Sequence, residues 1–248
     1  MKISLLTVSF NSAATIEDTI KSVRSQDYKD VEYIVVDGNS KDDTVNILRA
    51  NEGVITKWIS EPDKGIYDAM NKAVQMATGE VVGIINSDDF YRDNSIIAQV
   101  MQAFADPTVD AVFGDLIFVD PKNLSSVVRK YSSAHWKPEK FAWGFMPAHP
   151  TFFVRRKYYK QFGLFKTDYR IAADYELLIR FLFVHRLRYK YLPLIMVVMR
   201  KGGVSSRNFM SNIILNNEIM RGCRENGIYT NPFMVYSKYF RKLRELFQ

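Results

Sequence analysis

The chain has 248 residues, 47% hydrophobic, 25% charged and 14% aromatic, enough apolar material for one large core or two unequal lobes. This excludes a disordered tail, a collagen-like rod and a disulfide-stapled miniprotein. The net charge of +7 conceals an asymmetry: residues 1–124 hold 11 Lys and Arg against 20 Asp and Glu, whereas residues 125–248 hold 23 against 7. A basic half of this kind suits a solvated surface, a nucleic-acid face or a surface for anionic lipid and diphosphate groups. Cys223 is the only cysteine, so no intrachain disulfide or cysteine-based zinc site forms and a reducing compartment is expected.

The apolar runs Ile3 to Val8, Val81 to Ile85 and Leu192 to Met199 fall far short of the roughly 20 residues that span a bilayer. The first reads as a buried strand rather than a signal peptide, because a second run of the same kind follows at Val31 to Val36. Between them, Ile16, Ile20 and Val23 form the apolar stripe of a helix opened near Ser12 or Thr15. A helix over 43–50, a strand over 54–60, a turn at Glu61-Pro-Asp-Lys-Gly65 and a helix from Ile66 to Gly79 come next. Val81 to Ile85 is a further strand, followed by a helix over 95–104 capped by Asn94 and a strand over 111–119.

Strands separated by helices of this length imply βαβ units and a mainly parallel sheet, whose ligands bind beyond the carboxyl ends of the strands. Those ends are Phe10-Asn11, Asp37 to Ser40, Glu61 to Lys64, Asn86 to Asp89 and Gly114-Asp115. Four of the five carry carboxylates, which points to cation binding at one edge of the sheet. Hard oxygen ligands at Asp88 and Asp89 suit Mg²⁺ or Mn²⁺. After residue 120 the alternation fades. A strand over 126–131, an irregular aromatic segment over 132–150, a short strand over 151–154, a helix over 173–184, a strand over 189–199 and helices over 209–226 and 232–247 complete the reading. No linker is evident. There is no G-x-G-x-x-G, Walker P-loop, H-E-x-x-H or G-x-S-x-G.

The ordered segments Thr7-Val-Ser-Phe-Asn11, Val35-Val-Asp-Gly-Asn-Ser40, Asp63-Lys-Gly-Ile-Tyr-Asp-Ala-Met-Asn-Lys72, Ala77-Thr-Gly-Glu80 and Asn86-Ser-Asp-Asp89 together resemble the family 2 glycosyltransferases. The resemblance continues at His149-Pro-Thr-Phe-Phe-Val-Arg-Arg156, Phe162-Gly-Leu-Phe165 and Ala172-Ala-Asp-Tyr-Glu-Leu-Leu-Ile-Arg180. It implies a GT-A fold, an α/β Rossmann-like mixed sheet flanked by helices. A domain over 1–205 would divide into a nucleotide-sugar half (1–120) and an acceptor and catalytic-base half (121–205), with a helical extension over 206–248.

The implied activity is inverting transfer of a sugar from a nucleotide-diphosphate donor to a saccharide or lipid-linked glycan acceptor, aided by Mn²⁺ or Mg²⁺. Thr7, Phe10, Asp37, Asp63, Lys64, Asn71, Ser87 and Asp88 would line the donor site. Asp88 and Asp89 would hold the metal, Asp174 would be the general base, and His149 and Trp143 would face the acceptor. Two positions depart from the family pattern. Asn86 replaces the first Asp of the DXD motif, and Gly38 replaces the second Asp of Asp-Asp-Gly-Ser, which leaves uridine, guanosine and thymidine donors open. A catalytically silent sugar- or nucleotide-binding protein on the same fold is the alternative.

The segment from Tyr236 to Phe247, with Lys238, Arg241, Lys242 and Arg244, reads as a basic amphipathic helix suited to an anionic membrane or as an ordinary surface helix packed on the sheet. A cytoplasmic protein lying peripherally on the inner face of the cell membrane is therefore expected. Nucleic acid is not, since the arginines are scattered and no reader motif is present.

Overall fold

Alternation along the first strand sets the two layers of the molecule. In β1 (Ile3–Ser9) Ile3 and Leu5 enter one core, while Leu6 and Val8 enter the other. Both faces are covered, so the strand reads as continuously apolar. The computed structural model describes residues 1–202 and 209–245. The boundary expected at 205/206, the side chains of Arg241, Lys242 and Arg244, and Phe247 lie outside the described residues.

β2 (Val31–Asp37) and β4 (Val81–Ile84) flank β1 in parallel, and β3 (Lys57–Ser60) adds to β2 in the same sense. The crossovers are α1 (Ile16–Arg24), α2 (Thr44–Ala50) and α3 (Ile66–Met76). Helix α1 buries Ile16, Ile20 and Val23 and carries Glu17 and Asp18 in its first turn and Lys21 and Arg24 in its last, as the helix dipole favours. The sheet then turns mixed. β8 (Phe153–Arg155) runs antiparallel to β4 and to β6 (Ala111–Asp120), while β9 (Tyr189–Arg200) pairs with β6 in a long parallel ladder. The short β5 (Phe90–Tyr91) closes one edge on β9, β3 forms the other, and β7 (Asn123–Tyr131) forms a hairpin with β6. This is the mixed, mostly parallel sheet flanked by helices expected from the sequence.

Helices α4 (Ile96–Phe104) and α1 cover one face. On the other lie α3, α5 (Lys157–Phe162), α6 (Ala173–Ile179) and α7 (Phe209–Glu225), with α8 (Pro232–Glu245) closing the chain. Helix α6 widens into a π-helical turn over Arg180–Val184, where a uniform α-helix was expected. The 132–150 segment is more regular than expected, containing 3₁₀ turns at Pro138–Trp143 and His149–Thr151.

Three element ends differ from the sequence reading. Val54 and Ile55 still donate to Asn51 in the turn leaving α2, so β3 starts only at Lys57. Helix α3 ends at Met76, and Gly79 serves close approach instead of capping: a Cβ there would lie 2.6 Å from the Ser4 nitrogen. Asn94 does not cap α4; its amide donates to Asp27, while Asp93 receives the Ser95 N–H and hydroxyl at the helix start. Lys238, expected on an exposed basic face, is buried, its stem packing against Gly144.

At the amino-terminal end of β2, buried Glu32 accepts from Ser4, Thr78 and Lys57. Burial opposes its ionisation, but these hydrogen bonds outweigh that cost and hold its carboxyl well below the usual carboxylate range. A group depressed in the folded state contributes stability that is present above its unfolded pKa of about 4.3 and is lost as pH falls toward the folded value. Thermal melting of Glu32→Gln should therefore fall less between pH 6 and pH 3 than that of the wild type. An identical pH slope in the two proteins would contradict this role.

Candidate active site

At the carboxyl ends of β1, β2 and β3, one carboxylate ties the strands together. Asp37 Oδ1 accepts the hydroxyls of Ser9 (3.0 Å) and Ser40 (2.5 Å), and Oδ2 accepts the Ser40 N–H (2.9 Å) and the Ser60 hydroxyl (2.7 Å). The residue is 0% exposed. In this conformation Asp37 is thus an anchor under the site, not a carboxylate presented to a nucleoside. Thr7 lies equally deep, its hydroxyl receiving that of Tyr33. Above the anchor the chain leaves β1 and β2 through left-handed residues, Asn11 (φ 49) and Asn39 (φ 66), a conformation that asparagine tolerates better than most. Asn11 N–H donates to Ser40 Oγ, and Asn11 Oδ1 accepts from Lys41 N–H, locking the two turns together.

Phe10 stands 62% exposed on this platform. Beside it, a Cβ built on Gly38 would lie 2.4 Å from Asp63 Oδ2 and 3.4 Å from Phe10 Cδ2. The Asp63 carboxylate therefore fills the space that a side chain at position 38 would take. An exposed aromatic face next to a half-buried carboxylate can stack a planar ring and accept its N–H. Lys64 is exposed nearby. Asn71, expected in the donor pocket, instead exchanges both amide hydrogen bonds with the Phe165 backbone.

The second cluster follows β4. Ser87 and Ser12 share a hydroxyl hydrogen bond of 2.8 Å, and Arg200 donates to the Asp88 carbonyl and to Asp18. Of the two expected metal ligands, Asp88 is half-exposed and Asp89 is buried. Asp89 Oδ2 accepts the Asn86 amide (3.0 Å), and among the described residues its Oδ1 has no partner. Burial, and then the neighbouring Asp88 carboxylate, push the Asp89 carboxyl well above the usual range. Asn86 thus has a local role: it donates where an Asp would place a third carboxylate. No group of three or more His, Cys, Asp or Glu able to hold a metal occurs among the described residues. Even so, the donor set suits Mg²⁺ or Mn²⁺, because such ions commonly take one or two protein carboxylates and complete their shell with water and substrate phosphates.

The third cluster joins the two halves of the chain. Tyr67, in α3, donates to the Ile171 carbonyl and lies 3.5 Å from Asp174 Oδ1. Burial, then the Asp174 carboxylate, push the Tyr67 hydroxyl well above its ordinary pKa, so it remains a donor. Asp174 Oδ1 also accepts the Tyr175 N–H, and Oδ2 lies 3.3 Å from His149 Nδ1. The sequence reading named His149 and Asp174 separately, and the fold brings them into contact. Trp143 is exposed on the 3₁₀ turn. Sequence reasoning missed Ser60 and Arg200, whose residue types carry no signal apart from their neighbours, and Tyr67 as a link to the Asp174 loop. Replacing Asp37 with Asn puts an amide donor against groups that are themselves donors. The expected loss is roughly 2 to 4 kcal/mol in urea unfolding, and a loss under 1 kcal/mol would remove the anchor role.

Residues 4–163 match the family described as Glycosyl transferase family 2. An uncharacterized glycosyltransferase of Mycobacterium tuberculosis is 32% identical over 181 residues, 72% of this chain and 68% of that protein. A GalNAc(5)-diNAcBac-PP-undecaprenol beta-1,3-glucosyltransferase of Campylobacter jejuni is 32% identical over 128 residues, 50% of this chain and 41% of that protein. Among solved structures, S. aureus TarS 1-349 in complex with UDP-GlcNAc superposes with a TM-score of 0.67 at 18% identity, covering 92% of this chain and 68% of that one. The chain spans 40% of the longer TarS crystal structure. A Pyrobaculum calidifontis mannosyltransferase in complex with GDP-Man and Mn²⁺ superposes with a TM-score of 0.66 at 21% identity, covering 90% of this chain and 63% of that one. At these identities the structural likeness concerns the fold, which is of the GT-A type.

Proposed function

Because the chain belongs to glycosyl transferase family 2, we propose that it transfers a sugar, with inversion, from a nucleotide-diphosphate sugar to a hydroxyl of a saccharide acceptor. The observation that carries this reading is the meeting of Tyr67 with Ile171 and Asp174, residues more than 100 positions apart in the chain. The donor-side helix and the carboxylate thereby share one edge of the sheet. Phe10 would stack on the base, and Asp63 would accept a base N–H. UDP-GlcNAc and GDP-Man, the ligands of the two structural neighbours, both carry bases with such a donor.

In an inverting displacement the acceptor oxygen attacks the anomeric carbon on the side opposite the leaving diphosphate. Asp174 takes the hydroxyl proton as the new bond forms, and Tyr67 and the Tyr175 N–H orient its carboxylate. A divalent cation, when bound, would neutralise charge on the leaving diphosphate, with Asp88 as its protein ligand and Asp89 behind it. Binding without turnover is the second reading, favoured by the burial of Asp89, which leaves one accessible carboxylate.

Calorimetry with UDP, GDP and dTDP, each with and without Mn²⁺, tests the donor site. One nucleotide should bind, and Asp88→Asn should weaken it by about tenfold or more in the presence of Mn²⁺, the equivalent of roughly 1.4 kcal/mol; no binding under any condition would refute the reading. For the chemistry, Asp174→Asn should lower kcat by about 10² to 10⁴-fold while nucleotide affinity stays unchanged. A wild type that binds donor and shows no turnover would favour the second reading.

The acceptor is proposed to be a lipid-linked glycan of a surface polysaccharide, met at an anionic membrane surface. Support comes from the basic half of the chain, from the C. jejuni relative named for an undecaprenol-linked substrate, and from Tyr229 and Phe233, which stand 79% and 77% exposed around the start of α8. No helix among the described residues is long and apolar enough to cross a membrane. Cosedimentation with anionic vesicles should be retained by the wild type and reduced several-fold by Tyr229→Ser/Phe233→Ser. Equal binding of both proteins would discard this surface.

A further inference from the structure

The general-base candidate Asp174 lies beyond the family-matched residues 4–163, two residues after Ala172, where the preceding loop enters α6. Ala172 occupies the cap position of that helix and offers no side-chain cap. The backbone donors at this point are satisfied from a distance of almost fifty residues. Glu218, in α7, accepts the N–H of Arg170 at Oε1 (2.6 Å) and those of Ile171 (2.8 Å) and Ala172 (2.9 Å) at Oε2.

Three consecutive amides on one carboxylate form a set of charge-assisted hydrogen bonds, stronger than neutral ones. From the opposite side, the Tyr67 hydroxyl donates to the carbonyl of Ile171. The Ile171 residue is therefore gripped at its N–H by α7 and at its C=O by α3. The same helix holds the preceding residues: Glu225 accepts from Lys166 and Tyr169, and Arg221 pairs with Asp168.

The flank of this loop facing the donor-side turn is open. A cavity of about 300 Å³ separates Lys64 to Asp68 from Thr167 to Arg170. With space on that side, small shifts of a loop freed from Glu218 are not blocked by Lys64 to Asp68, while buried Tyr169 and Ala172 keep it seated on the core. A displacement of 1 Å at a reacting group can cost roughly 10²-fold in rate.

We infer that Glu218 is a positioning residue: its carboxylate fixes the 170–172 backbone, and through it Asp174, so that the C-terminal helical extension forms part of the catalytic apparatus. This rests on the reading of Asp174 as general base. A carboxylate is required because all three partners are donors; glutamine would turn an NH₂ toward one of the N–H groups.

The test uses the full chain with Glu218→Gln, Asp174→Asn and the double variant. Expected for Glu218→Gln are a fall in kcat of about 10 to 100-fold, unchanged nucleotide affinity by calorimetry, and faster amide hydrogen exchange confined to residues 170–172. Because Glu218 acts through Asp174, the double variant should be no slower than Asp174→Asn alone. A kcat within twofold of wild type, a further slowing in the Asp174→Asn background, or a joint loss of melting temperature and nucleotide affinity would each overturn the inference. Should Glu218→Gln fail to fold, Glu218→Asp, which keeps the charge and shortens the reach, is read by the same measurements. A fully active Asp174→Asn would instead remove the base reading, and the catalytic part of this inference with it, while hydrogen exchange at 170–172 in Glu218→Gln would still report whether the clamp exists.

Discussion

The buried carboxylate of Asp37 is the constraint on which the site is built. Parallel strands end side by side with their last polar groups pointing the same way, and nothing in a sheet ladder fixes how the departing chains diverge. Here one side chain with two acceptor oxygens gathers donors from Ser9 at the end of β1, Ser40 in the turn after β2 and Ser60 at the end of β3. The two left-handed asparagines can then turn sharply above it, which leaves Phe10 exposed and Gly38 bare. Asp63 reaches into the gap at Gly38. The placement of Phe10 and Asp63 follows from a residue that solvent does not reach.

The other half of the site depends on joining distant parts of the chain. Helix α3 supplies Tyr67, the second 3₁₀ turn supplies His149, α6 supplies Asp174, and α7 holds the backbone just before it. The acidic and basic halves of the sequence meet here. The acidic half contributes carboxylates at strand ends, and the basic half contributes cations that pair locally, such as Lys166 with Glu176 and Glu225, and Arg180 with Glu176. A buried Glu176 surrounded by cations and the Asn226 amide packs α6 against α7 and explains part of the positive charge as a structural need.

Much of the fold was legible because its signals are local. The continuous apolar run of β1 and the period-3.6 apolar stripe of α1 arise from residues within a few positions of one another, and the order of strands and helices carried the mixed, mostly parallel sheet. Element ends were less legible. Gly79 reads as a helix stop in one dimension, yet it is small because Ser4 passes against it. Asn94 reads as a cap, yet its amide is engaged by Asp27. In each case a tertiary partner overrode a local preference.

By itself, the sequence determined the α/β class, the carboxylate-rich edge, the family and the identity of Asp88 and Asp174 as candidates, since these depend on residue type and spacing along one chain. Only the tertiary structure decided that Asp37 is buried under four hydrogen bonds, that Asp89 is buried while Asp88 meets solvent, that Asp63 fills the space beside Gly38, and that Glu218 holds the loop before Asp174. The reason is physical. Whether a carboxylate binds a ligand or anchors the backbone depends on burial and on which donors surround it, and those donors come from strands and helices that only folding brings together.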